Sequence, residues 1–218
     1  MGFEPYDNSG GTCIAVAGEE FVVVAADTRM STGFNILSRN HPKTLQLSER
    51  CVIATSGFDA DAKALQKHLK ADHVQYRQAH GKEMGCVAAA QLLSNTLYFK
   101  RFFPYYTFNL LAGIDKEGKG AVFTYDAVGS YERTNYSCQG TGRALIESVL
   151  DNQLKLPSPL LVPKQQSAYG GSEGDAVDLV KDAFASAAER DIYTGDQVEI
   201  VVINKDGTRR ELMELKRD

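Results

Sequence analysis

No stretch of the chain approaches the ~20 consecutive apolar residues that a membrane-spanning helix requires, so no bilayer partner is expected. Positive charge is not in excess either. The 24 Lys and Arg residues stand against 28 Asp and Glu, the net charge is −4, and the basic residues are dispersed, which argues against a nucleic-acid partner. Cysteine is sparse: Cys13, Cys51, Cys86 and Cys138 form no CxxC pair and show no ligand-like spacing to a histidine. The first residues, Met1, Gly2, Phe3, Glu4, Pro5 and Tyr6, lack the basic and apolar regions of a secretory leader. Tyr6 occupies the place where a myristoylation signal needs Ser or Thr. With no leader, the four cysteines read as buried thiols in a reducing compartment. Asn135, Tyr136 and Ser137 have the form of a glycosylation sequon, which a cytosolic chain would not expose to the modifying machinery.

What remains is an ordinary globular composition, 43% hydrophobic and 24% charged over 218 residues, enough for one large domain with a substantial core. Two apolar strands open the chain, joined by Ala17, Gly18, Glu19 and Glu20, and end at Asp27. A second β pair follows over 45–47 and 51–57. Two helices are then predicted, over 58–76 and 82–103. The first carries Ala62, Leu65, Leu69 and His73 at helical spacing, with Asp59 and Asp61 early and Lys67 and Lys70 late, as the helix dipole favours. Pro104 ends the second. Strands are predicted over 105–114 and 120–125, helices over 144–154 and 175–190, and strands over 197–204 and 208–215. The Pro- and Gly-rich segment 156–174 reads as an exposed loop. This order, strands and helices in segregated blocks, is an α+β pattern, not an alternating βαβ one.

Three apparent motifs carry no chemistry. In Gly113, Ile114, Asp115, Lys116, Glu117, Gly118, Lys119, Gly120, the last glycine replaces the Ser or Thr of a phosphate loop, and a strand follows where a helix is needed. Gly140, Thr141 and Gly142 are too short for a dinucleotide fingerprint. His68 and His73 lie five residues apart, off a common helix face, so no metal site is expected.

The opening run Ser9, Gly10, Gly11, Thr12, Cys13, Ile14, Ala15, Val16, followed by Phe21, Val22, Val23, Val24, Ala25, Ala26, Asp27, Thr28, Arg29, resembles the first hairpin of proteasome β-type subunits. These belong to the N-terminal nucleophile hydrolases. The likeness extends over about residues 10–215 and implies a four-layer αββα sandwich, with residues 1–10 as a pro-segment-like extension and 11–218 as a single domain. In active members a threonine with a free amine starts the first strand, sixteen residues ahead of the aspartate; here Gly11 stands there. Gly11 has no hydroxyl, and its nitrogen lies in a peptide bond, so it supplies neither nucleophile nor base. Thr12 is offset by one residue, which turns its hydroxyl to the opposite face of the strand.

Other family positions persist. Asp27 matches the aspartate and Lys43, sixteen residues on, the lysine. Thr141 stands for a serine, Asp191 matches a second aspartate, and Thr194 replaces another serine. Without the nucleophile, these groups read as a buried ion-pair and hydroxyl network that holds strand ends and turns.

The runs Lys100, Arg101, Phe102, Phe103, Pro104, Tyr105, Tyr106 and Tyr125, Asp126, Ala127, Val128, Gly129, Ser130, Tyr131, Glu132 resemble those of a non-catalytic subunit type of that family. The resemblance then implies a role in ring assembly within ATP- and ubiquitin-dependent protein degradation. The expected partners are other α and β subunits in a four-ring particle in the cytoplasm and nucleus, and no cofactor is implied. It also implies that Asp126 and Ser130 line the substrate pocket of an adjacent active subunit. The alternative is an active threonine protease that uses Thr12 after an unexpected cut.

Overall fold

The computed structural model describes residues 3–154 and 169–218. The chain opens with β1 (Thr12–Ala17), β2 (Phe21–Asp27), β3 (Met30–Thr32), β4 (Asn35–Ser38), β5 (Thr44–Ser48) and β6 (Cys51–Gly57). Helices α1 (Asp59–His80) and α2 (Cys86–Phe99) follow, then β7 (Thr107–Ile114), β8 (Gly120–Tyr125), β9 (Tyr131–Thr134) and β10 (Tyr136–Gly140). The chain closes with α3 (Arg143–Gln153), α4 (Glu173–Ala188), β11 (Gln197–Asn204) and β12 (Gly207–Glu214).

Two antiparallel five-stranded sheets result, in the orders β10-β1-β2-β11-β12 and β5-β6-β7-β8-β9. Every residue of β1, β2 and β6 is buried. The reason lies in the layering. Side chains alternate between sheet faces, and in these strands both faces are covered, so the sequence shows unbroken apolar runs. Ile14, Val16, Val23 and Ala25 pack with Ile146, Leu150, Val180 and Phe184 of α3 and α4. Cys13, Ala15, Val22 and Val24 pack with Val52, Ala54, Leu110 and Ala112 of the facing sheet. Cys51, Ile53 and Leu111 meet Leu65, Leu69, Leu93 and Leu97 of α1 and α2. Three cores separate four layers, the αββα arrangement that the resemblance implied. Each fully buried Leu, Ile or Phe in them contributes about 1.5–3 kcal/mol.

Several expected boundaries move. α1 continues past residue 76 to His80, and Gly81 ends it in a left-handed conformation, its N–H bonded to Arg77 O. α2 starts at Cys86, not 82, behind the extended Gly85, and stops at Phe99, four residues before the expected end. Turn bonds from Lys100 N to Leu97 O and from Arg101 N to Tyr98 O close it there. α4 begins at Glu173, two residues early, because Ser172 caps it. Ser172 Oγ accepts from Asp175 N while Asp175 Oδ2 accepts from Ser172 N. Ser172→Ala should lower stability by about 1 kcal/mol in chemical denaturation; an unchanged midpoint would show that the cap adds nothing to the packing of α4.

Two successive strand pairs in the chain, β3 with β4 and β9 with β10, escaped the sequence reading. β3 and β4 pair across Gly33 and Phe34 in a short, half-exposed ribbon. β9 and β10 lie on different sheets: β9 pairs β8, β10 pairs β1, and the chain crosses between the sheets at Asn135. Of the predicted loop 156–174, residues 156–168 lie outside the described residues. Glu173 and Gly174 belong to α4, and Tyr169 forms a bridge with Gly18.

Candidate functional site

The start of β1, the end of β2, the start of β5, the end of β10 and the turn before β11 converge at one end of the sandwich. Gly10 and Gly11 approach β1 with φ of 69° and 92°, and both are buried. A side chain at Gly11 has nowhere to go: a Cβ there falls inside van der Waals contact of Lys43 Cε, 2.9 Å from Nζ and 3.0 Å from Cδ. The Lys43 ammonium is fixed by Asp27 O at 2.8 Å, Arg29 O at 2.6 Å and Asp27 Oδ1 at 3.1 Å. Asp27 is fully buried and also accepts from Thr12 N at 2.8 Å and Gly195 N at 3.4 Å. Burial raises the Asp27 carboxyl pKa, and Lys43 and the two amide donors oppose that rise. Cys13, adjacent in β1, is pushed up to about 12 by burial, so it stands as a neutral thiol and not as a nucleophile.

Thr12 faces another way. Its Oγ1 accepts from Gly142 N at 2.9 Å and lies 2.7 Å from Thr194 Oγ1. Thr194 donates its own proton to Asp191 Oδ2 at 2.6 Å, so the Thr12 proton must go to Thr194. Thr141 completes the group, donating through Oγ1 to Asp191 Oδ2 at 2.7 Å and through its amide to Gly11 O at 3.1 Å. The five residues Asp27, Lys43, Thr141, Asp191 and Thr194 therefore form two clusters that flank Gly11. One is an ion pair on the Lys43 side, the other a hydroxyl–carboxylate chain on the Thr12 side.

Sequence reading missed the pair that fixes the turn carrying Asp191 and Thr194. Asp196 takes φ of 68° and accepts from Arg29 Nε at 2.8 Å and Arg39 at 2.5 Å. Burial favours the neutral acid there, but the two guanidinium groups outweigh it and hold the carboxyl below its ordinary value. Arg29 also donates to Ile192 O at 2.9 Å. Arg29 was visible beside Asp27; its partner, 167 residues distant, was not.

The segment ahead of Gly11 is built into the same region. Ser9 N donates to Gly57 O at 2.9 Å and Ser31 N donates to Ser9 O at 3.1 Å, so Ser9 bridges the end of β6 and β3 as a short strand would. Its Oγ accepts from Asp59 N at 3.1 Å. Tyr6 packs against Phe58, Phe103 and Tyr106 and donates its hydroxyl to Pro104 O at 2.7 Å. A cavity of about 30 Å³ remains beneath, lined by His41, Lys43, Ser56, Asp59 and Gln66 among others. That is room for about one water molecule.

The other candidates lie elsewhere. Asp126 and Ser130 are exposed on the turn between β8 and β9. Asp126 Oδ1 accepts from Val128 N at 3.0 Å and Ser130 N at 2.8 Å, which closes the turn on itself. The glycine-rich run after β7 is also a turn, with Asp115 Oδ1 accepting from Glu117 N and Lys119 N. His73 is buried with Nδ1 on Leu69 O, whereas His68 is exposed beside Asp72. All four cysteines are buried and unpaired, with the Cys51 and Cys86 sulfurs 3.9 Å apart. Among the described residues no helix is long and apolar enough to cross a membrane.

Comparison with known proteins agrees with this geometry. A family model described as "Proteasome subunit" matches residues 7–203. "Proteasome subunit beta type-1" of Oryza sativa subsp. japonica is 64% identical over 213 residues, covering 98% of this chain and 96% of its own. The protein of the same description from Arabidopsis thaliana is 63% identical, covering 99% and 97%. "Proteasome subunit beta type-6" of Saccharomyces cerevisiae is 42% identical, covering 99% and 92%. All three are described as β subunits, the class that the opening hairpin and its site residues pointed to. With a matching family model over most of its length and close relatives end to end, the chain belongs to the proteasome subunit family.

Proposed function

We propose that the chain works as a non-catalytic β subunit of the 20S proteasome core particle. The observation that carries this is Gly11. At the position where active members of the family place their threonine, this chain has no hydroxyl, and the room for a side chain is taken by Lys43. Thr12 does not replace it. Its amide is acylated and bonded to Asp27, its hydroxyl proton points to Thr194, and among the described residues no base lies directly on that hydroxyl. The extension ahead of Gly11 supports the same reading. Ser9 already takes the backbone groups of Gly57 and Ser31 that an extended peptide would need for strand addition.

On this reading the retained polar residues are structural. They tie the ends of β1, β2, β5 and β10 and the turn before β11 into a fixed end of the sandwich, which is what packing into a ring of subunits needs. The proposal extends to a four-ring particle of α and β subunits, to ATP- and ubiquitin-dependent degradation, and to a cytoplasmic and nuclear location. The four unpaired thiols fit a reducing compartment.

The test uses purified particles and a threonine-directed covalent probe. This chain should keep its unlabelled intact mass and retain residues ahead of Gly11, while active subunits in the same sample gain the probe mass. Stoichiometric label on a free Thr12 amine would overturn the reading in favour of an active protease.

Asp126 and Ser130 are proposed to line a neighbouring active subunit's pocket. Because Asp126 Oδ1 also closes its own turn, Asp126→Asn is the informative change: it removes the charge and keeps an acceptor for Val128 N and Ser130 N. A lost rim carboxylate should lower the preference for basic over neutral substrate residues by on the order of 1 kcal/mol, or about five-fold. The measurement compares chymotrypsin-like cleavage of two peptides that differ only three residues before the cut. An unchanged ratio makes Asp126 a turn residue alone.

A further inference from the structure

The last turn of α2 and the tight turn after it carry aromatic rings outward. Tyr98 is 62% exposed, Phe99 88%, Phe102 94% and Phe103 64%. Aromatic side chains bury about 150–250 Å² each when covered. These four therefore leave on the order of 500 Å² of apolar surface in one place, at the upper end of what a free-standing protein shows. The turn is preorganised. Lys100 N bonds Leu97 O, Arg101 N bonds Tyr98 O and Phe103 N bonds Lys100 O, and Tyr6 packs on the Phe103 ring at 5.7 Å. A surface held in shape loses little freedom on binding.

Lys100 and Arg101 stand among these rings. Lys100 Nζ sits 5.4 Å from the Tyr105 ring centre and Arg101 Cζ 5.1 Å from that of Phe102. Among the described residues both charges meet aromatic rings instead of carboxylates, so the patch is at once apolar and positively charged. A second copy docking on this face by two-fold symmetry would bring Lys100 and Arg101 toward their own counterparts, a like-charge arrangement. Aromatic anchors beside an arginine are the side chains that dominate interface energetics.

We propose that residues 98–103 form a docking surface for a different subunit of the particle, one that offers carboxylates set among apolar side chains. The inference rests on the proteasome-subunit reading and adds to it the surface and the chemistry of its partner. Phe99 and Phe102 contribute to affinity by burial, and Lys100 and Arg101 select the acidic face.

The experiment expresses the tagged chain with its partner subunits and isolates assembled particles. One arm replaces Phe102 with the photo-crosslinker p-benzoylphenylalanine. Irradiation should give an adduct with one other proteasome subunit, mapped by mass spectrometry to a segment containing Asp or Glu. The second arm compares the parent with Phe99→Ser/Phe102→Ser and with Lys100→Glu/Arg101→Glu. Each variant's share of assembled particles should fall at least ten-fold. Absence of the tagged parent itself from particles would overturn the underlying subunit reading. Full incorporation of the variants, with the parent present, would overturn the docking surface alone. An adduct only with a second copy of this chain, or only with lipid in added phosphatidylserine/phosphatidylcholine vesicles, would also overturn it. So would loss of the variants without any adduct to another subunit, since that pattern reports a folding defect.

Discussion

Replacing Lys43 with alanine should destabilise the chain by about 3–5 kcal/mol, because it strands a buried carboxylate. The pair is dry, with side-chain exposures of 5% for Lys43 and 0% for Asp27. Without the ammonium, Asp27 keeps, among the described residues, only the amide donors of Thr12 and Gly195, and the carbonyls of Asp27 and Arg29 lose their shared donor. Particles should take up the variant poorly, while those that do form retain normal specific activity, since no residue of the reacting machinery has been touched. A second variant separates charge from shape. Asp27→Asn/Lys43→Met removes both charges at similar volume and should be less destabilised than Lys43→Met alone, a difference that a double-mutant cycle reads directly. Full assembly and an unchanged melting temperature in Lys43→Ala would remove the structural role assigned to the pair.

Gly11→Ala should be destabilising by more than the ~1–2 kcal/mol of the backbone penalty alone, because two separate penalties add. The first is the backbone: φ of 92° disfavours any side chain by about 1–2 kcal/mol. The second is displacement of Lys43, whose Cε, Nζ and Cδ crowd the new methyl group and whose ammonium is held by three oxygen atoms. Gly33→Ala is the control. That glycine has φ of 58° and, among the described residues, nothing within 4 Å of a Cβ, so it should show the backbone penalty alone, about 1 kcal/mol. Denaturant midpoints of the two variants give the comparison. Equal losses would mean that Lys43 moves aside freely and that the crowding at Gly11 has no structural weight.

The parts legible in advance were those with a local physical signal. β1, β2 and β6 announced themselves as apolar runs because strands between two covered faces need no polar residue. α1 was visible through Ala62, Leu65, Leu69 and His73. The short hairpin of β3 and β4 was not, since its strands are three and four residues long and half-exposed, too short to show a period. β9 and β10 were missed for a different reason: each is an edge strand on a separate sheet, and no local pattern records that a chain changes sheets at Asn135. In the aromatic run 102–106 only the structure separates the partly covered Tyr105 and Tyr106 from Phe102 and Phe103, which are carried outward because α2 ends at Phe99 and a turn follows.

By itself the sequence determined the α+β order, through periods of two and 3.6 residues, and the absence of a hydroxyl at position 11, while its resemblance to known subunits carried the family and the four layers. The tertiary structure decided how the remaining polar residues divide. Lys43 fills the space beside Gly11, Thr12 joins Thr194 and Asp191 on the opposite side, and Arg29 locks Asp196 across 167 residues of chain. Such pairings depend on where strand ends from both sheets meet. A one-dimensional pattern fixes which face a side chain takes, but the meeting of distant ends is set only when three hydrophobic cores close together.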